Sequence, residues 1–566
     1  MSSFRVVLVF PPVWETTAPY LSVPVLSAFL KSHGISVQQV DANIIFWDRF
    51  LSAEELGEIY DNCRADYRRL SRIARSRTED EFRLLLLSRI TRMSKEEFSE
   101  FAIRGSIDRD TISYLIKKYS RHARQIQKQA VHGLAVWPNL AYHDSYYWEL
   151  SMSYAAQDSA MLIETVENRD ENPFTEFTEQ EILPLIIGAN PQIVGVSITA
   201  LNQVVPAFTI AKMVKESLPR TCTVAGGAWV TQLKDKIARI PDLFRYFDIF
   251  VAGPGEKPLL EICHRIQNSQ PPRLDGIDNL MYADDNGEIV RTGLSPGVSL
   301  NLLPTPEFEG LPLKKYDEQG YLPLLGARGC YWARCRFCSY PAIETRYEER
   351  AVELVVADII NLKGKMDVEY IGFADPIISP KRIKKLAQLL LDKNTGITWG
   401  GYARLEPGFT NSLFRQAASA GLVILFWGLE SGSQRVQRLI GKNISIHLAM
   451  DILKNAHQAG IHNRLMLMYR FPGESENDFA QTVDFVERVL PFIGSFTITP
   501  YQPEYNTPLA EALIEQGLAA PLGDLGIGLL YLPKGNGLWR AQLRRLEKLS
   551  NVIDLELSHF YNQGVV

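Results

Sequence analysis

The sequence lacks any long hydrophobic run, any low-complexity tract and any internal repeat. A helix that spans a bilayer needs about 20 consecutive apolar residues, so we expect a cytoplasmic protein rather than an integral membrane protein. The composition, 46% hydrophobic and 22% charged, is that of an ordinary globular chain and argues against disorder and repeat architectures. A length of 566 residues exceeds one ordinary core, so we expect two or three domains.

An excess of positive charge is also missing. The formal net charge is -5 at pH 7, which offers no overall attraction to the phosphates of nucleic acids or of anionic lipids. We therefore expect neither a nucleic acid nor a membrane among the partners of this chain.

Cysteine is scarce, with six residues in the chain, yet three of them lie within the stretch "GARGCYWARCRFCSY" at 326–340. In a reducing cytosol a tight triplet favours metal ligation by thiolates over disulfides. The scattered Cys63, Cys222 and Cys263 are expected to be buried and to behave as small apolar side chains.

Histidine is absent around this triplet. A structural zinc site needs four protein ligands, and the nearest histidines are His264 and His447. Zinc remains an alternative if a fourth ligand comes from a distant segment. Three thiolates also suit a four-iron cluster in which one iron lacks a protein ligand. That open iron could bind a substrate or a cofactor.

Strand and helix patterns alternate in the first domain. "FRVVLVF" (4–10) is typical of a strand buried on both faces, and it is followed by a helical pattern and by a second strand at 35–43. The same rhythm resumes at 192–200 and continues to about 267. It predicts a doubly wound parallel sheet of about five strands, whose ligand loops begin at Pro11, Thr199, Gly226 and Gly253.

The domain boundaries follow from these patterns. We expect an α/β protein with a doubly wound domain at 1–267 that contains a helical insertion at about 48–185. A linker with a β hairpin follows at 268–320, where "DDNGE" separates two alternating runs. Six further strand-helix units at 321–515 predict a partial or complete α/β barrel, and a tail follows at 516–566.

The cysteine triplet follows the first strand of the predicted barrel, and here the chain resembles the radical S-adenosylmethionine enzymes and, among them, the cobalamin-binding branch. The family motif is C-x3-C-x2-C with an aromatic residue before the last cysteine. This chain has C-x4-C-x2-C, a departure of one residue, with Phe337 at the aromatic position. "FADP" (373–376), "YARLEP" (402–407), "GLESGSQRVQRLIGK" (428–442) and "YRFPGESENDFAQT" (469–482) resemble the ends of the second to fifth strands of the family barrel.

The resemblance implies three cofactors, which are a four-iron cluster, S-adenosylmethionine and cobalamin. The implied cluster ligands are Cys330, Cys335 and Cys338. The implied S-adenosylmethionine contacts are Phe337, Asp375, Arg404 and Glu430. The ammonium and carboxylate of that cofactor need an acceptor and a cation, although the three charged residues could instead pair only with one another.

The first domain resembles the cobalamin-binding domain that precedes the barrel in this branch. The candidate cobalamin-binding residues are Pro12, Ser197, Thr199, Gly226, Gly227 and Gly253. The D-x-H-x-x-G pattern that supplies a histidine to cobalt elsewhere is absent after the first strand, where "FPPVWETTAPY" (10–20) stands. The resemblance therefore implies cobalamin without a histidine ligand from the protein.

The leading hypothesis is a radical enzyme that methylates an unactivated carbon of a natural product or peptide, with an external electron donor as partner. A cyclase or rearranging enzyme with the same cofactors is the alternative within the branch. A methylthiotransferase fits less well because its amino-terminal domain brings a further cysteine cluster. A non-catalytic cobalamin or redox sensor is the alternative from another class. The sequence assigns no catalytic side chain and identifies no substrate.

These assignments predict the metal content of the protein. Anaerobic reconstitution should give about four iron and four sulfide per chain, and replacement of Cys330, Cys335 or Cys338 by alanine should abolish the cluster. Iron, sulfide and zinc analysis of anaerobically purified protein checks this, and zinc in place of iron would contradict it.

Overall fold

The computed structural model describes residues 4–73, 87–88, 90–103, 115, 155–170, 172–268, 273–316, 318–344, 346–531, 542 and 545–546. These residues divide into two compact units. The first unit lies within Met1–Gly297, Glu307–Gln319 and Leu522–Ile527. The second lies within Val298–Pro306, Gly320–Pro521 and Gly528–Val566. Residues 268–320, which the sequence assigned to a linker, are divided between the two units.

The first unit is a mixed α/β structure. Its helices and strands are β1 (Arg5–Phe10), α1 (Ser22–Ser32), β2 (Ser36–Asp41), α2 (Ala42–Phe50), α3 (Ala53–Ile73), α4 (Lys95–Ile103), α5 (Ser159–Glu167), α6 (Phe174–Phe177), α7 (Leu183–Ala189), β3 (Ile193–Ser197), α8 (Val204–Ser217), β4 (Cys222–Gly226), α9 (Ala228–Ile237), β5 (Ile249–Val251), α10 (Glu256–Asn268), β6 (Leu280–Ala283) and β7 (Ile289–Arg291).

A seven-stranded sheet in the order β2-β1-β3-β4-β5-β6-β7 forms the centre of this unit. The strands from β2 to β5 pair in parallel, and β6 and β7 continue the sheet in antiparallel orientation. The apolar residues Val6, Val7 and Val9 of β1 are fully buried, as expected for a strand covered on both faces. The doubly wound parallel sheet predicted from the sequence is confirmed. The predicted hairpin belongs to this sheet rather than to a linker, because it covers the edge of β5 that would otherwise lack a pairing partner.

Helices connect β2 to β3 in the part of the insertion that the structure describes. They are α2 to α7, with a π-helical turn at Thr178–Ile182 between α6 and α7. No strand occurs among the described residues between 42 and 192. Residues 104–114 and 116–154 of the predicted insertion lie outside the described residues.

The second unit contains a parallel sheet with helices between successive strands. Its helices and strands are β8 (Tyr321–Leu324), β9 (Ala327–Arg328), α11 (Tyr340–Ile343), β10 (Glu348–Glu349), α12 (Val352–Lys365), β11 (Tyr370–Phe373), α13 (Pro380–Asp392), β12 (Thr398–Ala403), α14 (Asn411–Ser419), β13 (Leu422–Glu430), α15 (Gln434–Leu439), α16 (Ile446–Gln458), β14 (His462–Tyr469), α17 (Glu476–Val489), β15 (Ser495–Pro500), α18 (Pro508–Glu515), β16 (Ala519–Pro521) and β17 (Leu529–Tyr531).

Six of these strands form one parallel sheet in the order β15-β14-β13-β12-β11-β8. Since β8 and β15 are its two edges, the sheet is an open, partial α/β barrel rather than a closed one. Hydroxyl side chains at the N-caps fix where several helices begin, including Ser379, Ser433 and Ser475. Ser475 and Asp478 form a capping box, which the S-x-x-D pattern at 475–478 indicates from the sequence alone.

Among the described residues, no helix is both long enough and apolar enough to cross a bilayer.

A strap at Glu307–Gln319 returns from the second unit to the first. The Tyr316 hydroxyl donates a hydrogen bond to the Asp41 carboxylate, which also accepts one from the Ile44 backbone N–H at 2.9 Å. Asp41 and Tyr316 are both almost fully buried. Burial raises the pKa of Asp41 to about 6, although the hydrogen bond from Tyr316 lowers it. This buried pair fastens the strap to the carboxyl end of β2.

The pair predicts a pH-dependent effect of Tyr316→Phe on stability. Because the folded-state pKa of Asp41 lies above its ordinary value, the stability contributed by this group is lost as the pH rises from about 4 to about 6. Above pH 6 Asp41 is ionised, so loss of the hydroxyl donor should destabilise the first unit by roughly 1 to 3 kcal/mol at pH 8 and by less at pH 5.

Calorimetric unfolding at the two pH values measures this effect. Tyr282→Phe is the matched control, because Tyr282 is a partly buried tyrosine of the same unit that packs against its core. Equal destabilisation at pH 5 and pH 8 would contradict the role assigned to Asp41.

Candidate cofactor sites

The cysteine loop lies between β9 and α11, beyond the end of the first strand of the parallel sheet in the second unit. Cys330, Cys335 and Cys338 are free and half-buried, and the Cys338 N–H donates to the Cys335 carbonyl at 3.3 Å. Burial raises the pKa of Cys335 to about 11 and also raises the pKa of Cys338. Thiolates at these positions therefore need positive charge nearby, and iron would supply it.

The three thiols fit an iron-sulfur cluster by ligand type, by spacing and by partial exposure. In the described residues, no group of three histidine, cysteine or acidic side chains gathers at one metal-binding point. The loop therefore brings suitable ligands to one end of the sheet without holding them in coordination geometry. Of the scattered cysteines, Cys63 and Cys263 are buried, and Cys222 is half-buried against the core that contains Cys263.

Three consecutive carbonyl groups follow α15, and we name Ile440, Gly441 and Lys442 the carbonyl bracket, because two of them bind the cysteine loop and the third binds Arg404. The Ile440 carbonyl accepts from the Arg336 backbone N–H at 3.0 Å, and the Gly441 carbonyl accepts from the Trp332 indole N–H at 3.1 Å. The Lys442 carbonyl accepts from the Arg404 guanidinium. Two of these donors belong to the loop itself, so the bracket is one of the contacts that position the loop.

Backbone strain collects at this end of the sheet. Apart from asparagines, the described residues with positive φ that are not glycine are Ala333, Glu430 and Arg470. Such conformations cost roughly 1 to 3 kcal/mol and concentrate at functional sites. Ala333, with φ of 41°, lies between Cys330 and Cys335, so the loop with the additional residue turns through a left-handed position.

Arg404 and Glu430 lie near the bracket, but they do not pair with each other. The Arg404 guanidinium contacts Glu406 at 3.3 Å and stacks 3.8 Å from the centre of the Trp332 ring. Its Nε is buried and has no hydrogen-bond partner among the described residues. Glu430 accepts a hydrogen bond from the Lys442 ammonium at 2.8 Å. Arg404 and Glu430 therefore have separate partners, and the alternative in which they pair only with one another does not hold.

Asp375 lies in a different environment. It is fully buried, and its Oδ1 accepts from the Gly326 backbone N–H at 2.5 Å, while Oδ2 lacks a partner in the described part of the chain. Burial raises its pKa to about 7 in spite of the neighbouring Arg382. In this arrangement Asp375 connects the second strand of the sheet to the turn after β8.

Phe337 packs on an apolar cluster beside the cysteine loop. Its ring contacts Phe471 edge-to-face, with 6.4 Å between the ring centres. Phe471 in turn contacts Tyr501. The aromatic side chain before the last cysteine therefore anchors that end of the loop.

In the first unit, the buried Gln203 joins the two loops at the point where the strand order reverses. Its Oε1 accepts from the Thr199 backbone N–H at 2.9 Å, and its Nε2 donates to the Pro11 carbonyl at 2.7 Å. Pro12 is buried next to this bond, and the Ser197 hydroxyl bonds to the Ser22 hydroxyl at 2.8 Å. Crevices at such reversal points are the usual ligand sites of doubly wound sheets.

The predicted glycines line the neighbouring strand ends. The Gly226 carbonyl accepts from the Ile198 N–H at 2.8 Å, and the Gly253 N–H donates to the Thr231 hydroxyl at 2.9 Å. Gly227 has φ of 104°, and a Cβ there would overlap the Ile198 carbonyl, so only glycine fits. Asn202 is buried nearby in sequence, and its Oδ1 has no partner among the described residues. An unsatisfied buried acceptor in the segment after β3 fits a bound polar ligand.

Sequence reasoning missed several residues that organise these sites. Lys442 lies inside a stretch that carries the family resemblance, and Gln203 follows the strand predicted at 192–200. Only the folded chain shows which carbonyl or carboxylate each contacts. Tyr331 is also engaged, because its hydroxyl donates to Glu406 at 2.6 Å. In the sequence, only the position of these residues after predicted strands indicated that they could belong to a site.

Comparison with known proteins finds a family similarity within the second unit. The model of the radical SAM superfamily matches residues 325–486. The chain is 26% identical over 333 residues to an uncharacterized methyltransferase, PH0819, of Pyrococcus horikoshii, which covers 58% of this chain and 71% of that protein. It is 22% identical over 342 residues to 4'-phospho-dehydrooxetanocin synthase of Priestia megaterium, covering 55% of this chain and 44% of that protein.

Solved structures show the same fold. A structure of the cobalamin-dependent S-adenosylmethionine radical enzyme OxsB matches 94% of this chain and 64% of that chain, with a TM-score of 0.59 and 14% identity. The radical S-adenosylmethionine methyltransferase TsrM of Kitasatospora setae matches 91% of this chain and 78% of that chain, with a TM-score of 0.53 and 15% identity. The chain spans just under two thirds of the matched OxsB chain.

The carbonyl bracket predicts that Gly441→Ala weakens the cluster. Gly441 has φ of 72°, and a Cβ there would overlap the Arg334 carbonyl of the cysteine loop. We expect the variant to retain less than about half of the wild-type iron, because the loop must shift. Gly460→Ala is the matched control, since Gly460 has φ of 83° but open space around it. Equal iron content in the two variants after anaerobic reconstitution would show that the bracket does not position the cysteines.

Proposed function

We propose that this chain, a radical S-adenosylmethionine enzyme with the fold of cobalamin-dependent members, methylates an unactivated carbon of a natural product or peptide. Two matched proteins are named methyltransferases, which supports this choice. The proposed partners are the substrate and an external electron donor, with no nucleic acid and no membrane. A cytoplasmic location fits half-buried free thiols, which need a reducing compartment.

One observation carries the proposal. A single chain combines a cysteine loop held at the carboxyl end of a partial barrel with a doubly wound sheet whose reversal point is built for a ligand. When bound, the cluster and S-adenosylmethionine supply a 5'-deoxyadenosyl radical, and methylcobalamin supplies the methyl group. The residues of the chain bind and orient these groups.

We assign S-adenosylmethionine binding to the surroundings of the carbonyl bracket. The unused Nε donor of Arg404 suits the carboxylate of the cofactor, while stacking on Trp332 keeps the guanidinium in place. Glu430 suits the ammonium group, and Lys442 fixes the orientation of its carboxylate. Asp375 supports the adjacent turn rather than the ligand directly, because it is fully buried.

We assign cobalamin to the reversal point in the first unit. Gln203 fixes the loops that contain Pro12 and Thr199, and Gly227 allows the neighbouring backbone segments to approach closely. The loop after β1 contains no histidine, so the cobalt is expected without a protein imidazole ligand. Asn202 supplies an acceptor for a polar group of the cofactor.

A cyclase or rearranging activity with the same cofactors is the second candidate. It is favoured by the similarity to 4'-phospho-dehydrooxetanocin synthase, a relative that is named a synthase and not a methyltransferase. Products separate the two activities, because methylation by this route forms S-adenosylhomocysteine together with 5'-deoxyadenosine, whereas rearrangement forms no S-adenosylhomocysteine. A cobalamin or redox sensor would bind cobalamin and never cleave S-adenosylmethionine.

We predict that the reconstituted protein, reduced with titanium(III) citrate and supplied with methylcobalamin, cleaves S-adenosylmethionine slowly to 5'-deoxyadenosine even without substrate. Cys335→Ala should lower the rate at least about 100-fold, because the electron cannot reach the sulfonium without the cluster. Liquid chromatography with mass spectrometry measures both nucleoside products.

Cys222→Ala is the matched control, since Cys222 is a half-buried cysteine outside the loop, and it should cleave as the wild type does. Cobalamin binding without any cleavage by the wild type would support the sensor and refute the enzyme. With a turned-over substrate, formation of 5'-deoxyadenosine alone would refute methylation.

A further inference from the structure

One face of the parallel sheet in the second unit stays partly accessible. Because the strands follow one another in order, right-handed connections place the linking helices on one face. Leu425, Trp427 and Leu465 point to that face and are fully buried. Their neighbours Phe426 and Arg464 point to the other face and are only half-buried.

Three side chains form a row across the accessible face. Tyr402 of β12 pairs in register with Phe426 of β13, which pairs with Arg464 of β14. The rings of Tyr402 and Phe426 lie 5.0 Å apart between centres, and the Arg464 guanidinium lies 5.8 Å from the centre of the Phe426 ring. Tyr402 is 40% exposed although it lies within a strand. The row is thus an aromatic surface with a cation at one end.

Within the described ranges, no acidic side chain pairs with Arg464. Arg464 makes no ion pair and no hydrogen bond within the residues that the structure describes. His462, two residues earlier on the same face, cannot compensate, and its pKa is lowered by burial and by the charge of Arg464. Glu430 at the end of β13 is already bonded by Lys442. A half-buried guanidinium with free donors is an anion-binding group.

We propose that this row binds the substrate, that the substrate carries a carboxylate next to an aromatic ring, and that Arg464 pairs with the carboxylate while the ring stacks on Tyr402 and Phe426. The inference rests on the proposed function and adds a substrate class to it. A carboxylate is favoured over a phosphate because the row offers one positive charge, which balances one carboxylate, whereas a phosphate monoester carries about -1.5 to -2. The planar guanidinium fork also matches a carboxylate in two parallel hydrogen bonds.

Isothermal titration calorimetry of the full chain with indole-3-acetate and with its neutral amide, indole-3-acetamide, tests the proposal. We expect the carboxylate to bind at least about tenfold more tightly than the amide, a difference of about 1.4 kcal/mol. Arg464→Gln should remove this preference, and Arg464→Lys should retain part of it. Tyr402→Leu should weaken both probes equally, because it removes the stacking surface.

Arg415→Gln is the matched control, because Arg415 is an exposed arginine on α14 of the same unit, and it should bind both probes as the wild type does. Equal binding of carboxylate and amide by the wild type would overturn the proposal. A preference that survives Arg464→Gln would also overturn it, and so would tighter binding of phenyl phosphate than of phenylacetate.

The binding test is independent of catalysis. If S-adenosylmethionine cleavage fails while the carboxylate preference depends on Arg464, the proposed function is refuted and the binding row stands. If cleavage proceeds while the preference is absent, the enzyme assignment stands and the substrate class is refuted.

Discussion

The arrangement of the second unit depends on three consecutive carbonyl oxygens. The cysteine loop has little regular structure of its own, so its position comes from hydrogen bonds to other segments, among them those with Ile440 and Gly441. The adjacent Lys442 serves twice, since its carbonyl binds Arg404 and its ammonium binds Glu430. The loop, the arginine and the glutamate are therefore positioned by one short stretch, and a displacement of that stretch would move all of them together.

In the first unit a side chain, and not a row of carbonyl groups, positions the loops at the end of the sheet. Loops at the carboxyl ends of parallel strands point away from the sheet and cannot use its backbone ladder. The side-chain amide of Gln203 instead joins two loops, because its oxygen accepts from the Thr199 N–H and its nitrogen donates to the Pro11 carbonyl. In the first unit a side-chain amide holds the loops of the candidate site, and in the second unit backbone carbonyl groups do so. The ionisable and reactive side chains of each site lie on or beside the loops that are held in this way.

The sequence was sufficient for the parts that depend on local patterns. The fold class, the alternation of strands and helices, the cysteine loop and the Ser475 cap follow from periodicity and from spacing along the chain. It could not show that the hairpin after α10 pairs with β5, since pairing at a sheet edge is decided in three dimensions. It also could not show the burial of Asp375 or the contact of Tyr316 with Asp41, because each joins segments far apart in the chain.

Because of the strap at Glu307–Gln319, the chain passes between the two units more than once. The polypeptide leaves the first unit, enters the second, returns along the strap and leaves again, and a short stretch near Leu522–Ile527 makes a further return. No single cut can therefore release either unit complete. A fragment that ended before the strap would lack the tyrosine hydroxyl that donates to Asp41. Neither unit can therefore be exchanged between related proteins as one continuous segment. A recombinant that preserves the fold of one unit has to include all of the separate segments that form it.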